Sequence, residues 1–435
     1  MSSEPASRIS RRRFLQQSAM AGIGVGFAAS PGFARPLTPN DKLNIGAIGV
    51  ANRGGDDLSG VSSENIVALC DVDDHYLDAA ISRYPKAARY NDYRKMLERN
   101  DLDAVVVATP DHNHAMASVT ALRAGLHLYC EKPLAHTVAE ARIVTDLARK
   151  MKCVTQLGTQ IHAGDNYRRV VELVQSGAIG PIKEVHVWCS SSYSGNGRPT
   201  DTPPTPANLH YDLWLGPAQY RPYNPAYVPF NWRSWWAFGE GSLGDFGCHY
   251  MDLPFWALNL KYPLTVKAEG PPVSAENTPA WLIVHYTFPA RETLPAVDLT
   301  WYHGGKRPTG YAEANQPDWP SGVLFVGAKG RVIADYGRHQ LLPEKDFEGF
   351  TPPPQSIPNS IGHHQEWIHA CKTGGPTTCN FDYSGPLSET VLLGNVSYRV
   401  GKKLNWDADH VRATNSPESI PLIWTPYRWG WSLQP

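Results

Sequence analysis

Apolar and polar positions sort the first third of the chain into short buried strands separated by helical stretches. Residues 44–48 form a brief apolar run, 66–70 form another, and the signature returns at 104–108, 127–130 and 154–157. Runs this short and this uniformly apolar suit strands covered on both faces. Between them, 74–84, 90–99, 115–124 and 138–150 read as helices. Strand and helix in alternation predict a doubly wound parallel sheet, an α/β Rossmann domain over residues 42–158. Past Gly158 the pattern changes. A helix at 167–176 precedes a half-buried alternation at 182–188, and similar short strands follow at 264–268, 281–288, 297–302, 323–326 and 331–336. Their hairpin-length links predict a second domain, 159–435, of α+β class with a large, mainly antiparallel open sheet. Helices at 363–372 and 387–400 and an aromatic tail close it.

The break between the first two strands carries chemistry. In Gly49-Val50-Ala51-Asn52-Arg53-Gly54 the first glycine permits a sharp turn and the last lets helix and strand approach. Free N–H groups at the helix start then face a pyrophosphate. Ala51 stands at the middle glycine of G-x-G-x-x-G and holds a cofactor slightly further from the backbone. Asp71 ends the second strand, where a carboxylate can accept from both adenosine ribose hydroxyls and repels a 2′-phosphate, so NAD is favoured over NADP. Asp56 and Asp57 bring negative charge to the same helix start and are expected to point away from the pyrophosphate.

Composition excludes several classes. With 435 residues, 42% hydrophobic and 19% charged, the chain can bury two substantial cores. A net charge of −1 gives no basic surface for nucleic acid. Seven cysteines without a C-x-x-C spacing form neither a disulfide framework nor a zinc site, and Cys70, Cys130 and Cys153 sit in apolar runs as reduced thiols. At the amino end, Ser10-Arg11-Arg12-Arg13-Phe14-Leu15-Gln16 precedes an apolar stretch at 18–29 and small residues before Arg35. This resembles a twin-arginine export signal over residues 1–34, recognised by the twin-arginine machinery, which implies a periplasmic or otherwise exported protein, or one anchored by an uncleaved signal. That route carries folded proteins, so a cofactor loaded inside can travel out.

Loops at the carboxyl ends of parallel strands are where ligands bind. Two such loops are Thr109-Pro110-Asp111-His112-Asn113-His114 and Glu131-Lys132-Pro133. The nucleotide turn, Ala108-Thr109-Pro110 with His114, and Glu131-Lys132-Pro133 together resemble the Gfo/Idh/MocA family of oxidoreductases, named for glucose-fructose oxidoreductase and inositol dehydrogenase. The likeness runs to about Trp406. It implies that Thr109, Pro110, His114 and Glu131 belong to the cofactor site, that Lys132 lies beside the nicotinamide and the reacting hydroxyl, and that the proline after it is cis. It also implies a homo-oligomer built through the open sheet. An ammonium at Lys132 can stabilise a developing alkoxide. On the crossing segment, Gln160 and His162 reach toward cofactor and substrate from below.

The second anchor is Gly244-Asp245-Phe246-Gly247-Cys248-His249. On a helix Asp245 and His249 are i and i+4 and project from one face, so the carboxylate would orient the imidazole as acceptor of the hydroxyl proton. The spacing matches the family, whose members use that pair with the lysine. No third ligand for a metal can be placed beside it. Between the strands lies a proline- and aromatic-rich insertion, about 190–244, whose length marks it as functional. Trp232, Trp235 and Arg233 are candidates to stack on a sugar face or hold its polar groups.

Taken together, the expectation is an exported NAD-dependent oxidoreductase acting on a secondary alcohol of a sugar, cyclitol or sugar derivative, its tightly bound cofactor recycled by a second carbonyl substrate. Two alternatives stand beside it. One is a glycosidase using NAD transiently at C3 without net redox change, although such glycosidases carry a tyrosine-and-histidine motif in place of Gly-Asp-x-x-x-His. The other is a redox-inactive sugar-binding protein, which would have no use for Lys132, Asp245 and His249 together.

Overall fold

The computed structural model describes residues 41–309 and 317–433. The export signal expected at 1–34 lies outside them. Six parallel strands form the first sheet: β1 (Asn44–Ile48), β2 (Asn65–Cys70), β3 (Ala88–Tyr90), β4 (Ala104–Val107), β5 (His127–Cys130) and β6 (Thr155–Leu157), in the order β3-β2-β1-β4-β5-β6. The order reverses beside β1, which makes the crevice above β1 and β4 the place for a ligand. The intervening helices are α1 (Arg53–Gly60), α2 (Asp74–Arg83), α3 (Tyr93–Met96), α4 (Asp111–Arg123) and α5 (Val138–Met151).

In the first domain two helices differ most from the sequence expectation, and in the second the helix expected at 387–400 begins six residues early, at Phe381. The helix expected at 90–99 shrinks to α3, because Tyr90 is spent on β3, where its carbonyl accepts from Asp71 N at 3.2 Å, and Asp92 caps the single turn that remains. The helix after β4 begins at Asp111, four residues early, so His112 and His114 sit in its first turn rather than in a loop. Pro110 supplies the N-cap position with φ −58°, and its fixed φ sets the entry to the helix.

The chain continues through α6 (Asp165–Gln175), β7 (Ile182–Cys189), the short α7 (Tyr211–Leu215) and α8 (Gly241–Ala257). Then come β8 (Thr265–Glu269), β9 (Leu282–Phe288), β10 (Val297–His303), β11 (Gly322–Gly327), β12 (Arg331–Ala334) and β13 (His339–Leu342). Helices α9 (His363–Thr373) and α10 (Phe381–Val400) precede β14 (Leu404–Asp407) and β15 (Arg412–Ala413). Nine strands form the second sheet, ordered β13-β12-β11-β7-β10-β9-β8-β14-β15 and antiparallel except where β7 runs parallel to β10. Helix α10 packs on α5, α8 and β8 and joins the two layers. Helix α9 returns to the first sheet, where Trp367, Ile368 and Cys371 share a core with Leu43, Ile45 and Leu58. All seven cysteines are free thiols. Among the described residues no helix is long and apolar enough to cross a membrane.

Candidate active site

The turn after β1 is shaped by sterics. Gly49 has φ +82°, and a Cβ there would stand 2.5 Å from the Ala108 carbonyl oxygen. A Cβ on Gly54 would stand 2.2 Å from the Gly49 oxygen, so both positions require glycine. Asp71 holds this turn: Oδ2 accepts from Val50 N at 3.0 Å and Oδ1 from Asp73 N at 2.9 Å. Burial pushes the carboxyl up to about 6, and each oxygen keeps a lone pair for a ribose hydroxyl. Arg53 turns to carboxylates, with Nε 3.3 Å from Glu131 Oε1 and Nη2 3.5 Å from Asp57 Oδ1. Asp57 is buried against His364 Nε2 at 2.9 Å, while Asp56 is exposed. Burial raises Asp57 to about 7, so its charge is reduced where a pyrophosphate would lie.

Behind the turn, His114 ties two loops together, its ring nitrogens 2.7 Å from Thr109 O and 2.7 Å from Pro133 O. It therefore acts on the cofactor site through backbone. Glu131 accepts from Gln160 Nε2 at 2.6 Å, and burial with Asp57 beside it raises the carboxyl to about 8. The Lys132–Pro133 peptide is cis.

Lys132 Nζ donates to Asp245 Oδ1 at 2.5 Å and to Asp245 O at 2.9 Å, across the gap between β5 and α8. Burial opposes the ammonium, but Asp245 and Glu131 outweigh it and raise its pKa above the ordinary value. Burial likewise opposes the Asp245 carboxylate, yet Lys132 and Arg233 hold it well below the usual range. Arg233 Nε stands 3.3 Å from the same Oδ1, with the guanidinium over Trp232 at 4.2 Å and Phe230 at 4.6 Å.

One expected pairing does not form. Asp245 gives its carboxylate to Lys132 and Arg233, and the His249 ring stands beyond ion-pair distance of it. Asp245 thus fixes the lysine rather than the imidazole. Burial, with Lys132 adding to it, pushes His249 down to about 3, so the ring is neutral. Two further candidates lie elsewhere. His162 is buried beneath the site, its Nδ1 2.9 Å from Asp252 Oδ1 and its ring stacked on Trp256 at 4.1 Å. Trp235 packs edge-on against Tyr227 at 5.0 Å and donates to Ala226 O, inside the insertion's own core. Neither lines the cleft; each is held by partners that only the fold brings near.

A single cleft of about 620 Å³ collects the rest: Gly49, Ala51, Asn52, Arg53, Asp71, Thr109, Pro110, His114, Glu131, Lys132, Gln160, Trp232, Arg233, Asp245 and His249. Gly54 lies just behind it, closing the turn. A larger hollow of about 1000 Å³, beside Tyr262 and Trp406, holds none of them. Sequence reasoning missed Asp111, Tyr193 and Trp214 on the cleft wall. Asp111 had a signal, its place directly after Thr109-Pro110; burial raises it to about 7, with Lys132 opposing. The cleft is lined from the positive-φ turn and the start of α1 to Lys132 and His249, and its volume and lining suit a dinucleotide with a small substrate beside Lys132.

Comparison with known proteins follows the same division. Residues 21–159 match the model of the Gfo/Idh/MocA oxidoreductase family with NAD-binding Rossmann fold, and residues 165–293 match that family's C-terminal alpha/beta domain. The chain is 32% identical over 196 residues to a glycosyl hydrolase family 109 protein of Solibacter usitatus, covering 40% of this chain and 44% of that one. It is 32% identical over 150 residues to the inositol 2-dehydrogenase of Salmonella typhimurium, covering 33% and 45%. It thus spans somewhat less than half the length of these curated relatives. The WlbA dehydrogenase of Bordetella pertussis, solved with NADH and UDP-GlcNAcA, shares the fold at 16% identity and a TM-score of 0.60, over 85% of this chain and 100% of that one.

Proposed function

This chain belongs to the Gfo/Idh/MocA family of NAD-binding oxidoreductases, and we propose that it takes a hydride from a secondary alcohol of a sugar, cyclitol or sugar derivative. The observation that carries the reading is that Lys132, Asp245 and His249 open into the same cleft as the glycine turn. Bound along that cleft, NAD would supply the hydride acceptor. Gly49 to Arg53, Asp71, Thr109 and Pro110 would hold it, with His114 fixing the loops.

The chain's own chemistry then divides among three groups. Lys132, kept cationic by Asp245, donates to the substrate oxygen and stabilises negative charge as the C–H bond breaks. His249, neutral across the working pH range, accepts the hydroxyl proton. Arg233, braced by Trp232 and Phe230, offers Nη2 to the substrate's other polar groups. The inositol 2-dehydrogenase relative supports the alcohol-oxidising reading. The arginine-led amino end supports export through the twin-arginine route, where no free nicotinamide pool exists, so the cofactor stays bound and a carbonyl substrate reoxidises it in place. The carboxylate Asp71 supports NAD over NADP.

The family 109 relative favours a second reading, glycoside cleavage through transient oxidation without net redox change. One experiment separates them: incubate the NAD-loaded protein with sugars and with aryl glycosides, and analyse both the nicotinamide state and the products. Accumulated reduced nicotinamide with an oxidised sugar supports the dehydrogenase; released aglycone without it supports the hydrolase. If neither occurs in a protein that holds NAD, both readings fail.

A further inference from the structure

The insertion after β7 does more than supply Trp232 and Arg233. Residues 206–210 cross the outer end of β2 and are stitched to the loop beyond it. Asp74 N donates to Asn208 O at 2.8 Å and His210 N to Val72 O at 2.8 Å. Asn208 Nδ2 donates to Asp73 Oδ1 at 2.7 Å, and His210 Nε2 stands 3.3 Å from Asp74 Oδ2. Asp73 and Leu209 face each other as an antiparallel bridge between those two backbone bonds.

This short ladder lies just beyond Asp71, where the adenosine half of a dinucleotide ends in a doubly wound fold. Leu209, Leu213 and Trp214 from the insertion line the same cleft as Asp71, Tyr76 and Asn91. The far side of the insertion is held as firmly. Trp214 O receives His112 Nε2 at 2.9 Å and Asn113 Nδ2 at 3.0 Å from α4. Arg428 of the C-terminal tail donates from N to Pro217 O at 2.9 Å and from Nε to Gly216 O at 3.1 Å.

We infer that residues 206–214 are a strap that closes the adenosine pocket and retains the dinucleotide through successive turnovers. The inference rests on the reading of the cleft as an NAD site. A nucleotide between the Gly49 turn and the strap is bounded on that side by Leu209, Leu213 and Trp214. The strap is fixed to the β2–α2 loop at one end and to α4 and the tail at the other, so it cannot swing aside as a free flap. Release requires the ladder to open. A retained cofactor must be reset where it sits, by a second, carbonyl substrate in the dehydrogenase reading or by the oxidised intermediate itself in the hydrolase reading.

The test uses the full-length protein loaded with NAD, with release timed by dilution into an excess of an unrelated NAD-binding dehydrogenase as trap. Asn208 and His210 are exposed, so Asn208→Ala with His210→Ala leaves the core intact; losing these two contacts should speed release about 10-fold. Asp73 and Leu209 are a non-hydrogen-bonded pair, whose Cα atoms lie about 4.5 Å apart in such ladders, within disulfide reach. Asp73→Cys with Leu209→Cys therefore provides a lock, with NAD loaded before oxidation. Oxidised protein should release NAD at least about 10-fold more slowly than the same protein reduced. Equal rates in the oxidised and reduced forms, with NAD bound in both, would overturn the strap while leaving the cofactor assignment standing. Failure of every form to bind NAD would overturn that assignment and the strap with it.

Discussion

The two walls of the cleft are built from different materials. The inner wall, from Gly49 to Lys132, is backbone at the ends of β1, β4 and β5, each bend set by a local rule: a glycine at positive φ, a proline before a helix, a carboxylate on two amides. The outer wall, 193 to 238, is a long insertion that carries its own core, in which Tyr211, Trp214, Tyr227, Trp235 and Phe238 pack on one another. On the inner wall, residue identity determines chemistry. On the outer wall Tyr211, Tyr227, Trp235 and Phe238 determine only where the wall stands, while Tyr193, Trp214, Trp232 and Arg233 reach the cleft.

Substitutions should split along the same line. Lys132→Met, on the inner wall, should lower kcat by roughly 10²–10³-fold or more, since it removes the charge facing the developing alkoxide. NAD affinity, read by titration, should be little changed. On the outer wall Trp235→Ala should cost about 3–5 kcal/mol of stability, read by denaturant melting, and should loosen the insertion. Loss of turnover in Trp235→Ala without loss of stability would break the distinction between the walls. Gly49→Ala should cost on the order of 1–3 kcal/mol through its left-handed backbone, and more through the 2.5 Å approach to Ala108 O. Here NAD binding should weaken before the melting temperature falls far.

Legibility in the sequence divides along the same contrast. The glycine turn, Asp71 and the Lys132 loop depend on neighbours a few residues away or on one strand end, so pattern and spacing located them. The partner of Asp245 did not emerge from spacing. An i, i+4 relation places Asp245 and His249 on one face, but Lys132, 113 positions earlier, supplies the full charge that takes the carboxylate. His162 is drawn under the site by Asp252 and Trp256, and Trp235 into the insertion core by Tyr227, contacts that no local signal announces. The same holds for the crossing of 206–210 over β2, since Asn208 is 135 residues from Asp73.

Smaller effects sharpen the picture through pH. Burial raises Glu131 and Glu240 to about 8 and Asp57 and Asp111 to about 7. The folded protein therefore holds protons that the unfolded chain has released, and the stability linked to them is lost as pH rises toward 8. The buried histidines His112, His136 and His363, pushed down by burial to about 4, 3 and 3, act oppositely, but only below the ordinary imidazole value of about 6.5. Melting temperature should accordingly fall between about pH 6.5 and 8, most clearly without cofactor. A rise across that window would contradict the assigned burial. Smallest of all, His249 should show no titration near the ordinary imidazole range by NMR, and Lys132→Met should raise its pKa by removing the neighbouring positive charge.

The most direct measurement is the near-ultraviolet absorbance of the NAD-loaded, full-length protein while sugars, cyclitols and then carbonyl acceptors are added, wild type beside Lys132→Met. In the wild type a reduced-nicotinamide band should rise with a polyol and fall with a carbonyl, and in the variant it should not change. A band that responds equally in both proteins would show that hydride transfer does not depend on the lysine held by Asp245, and would contradict the central claim.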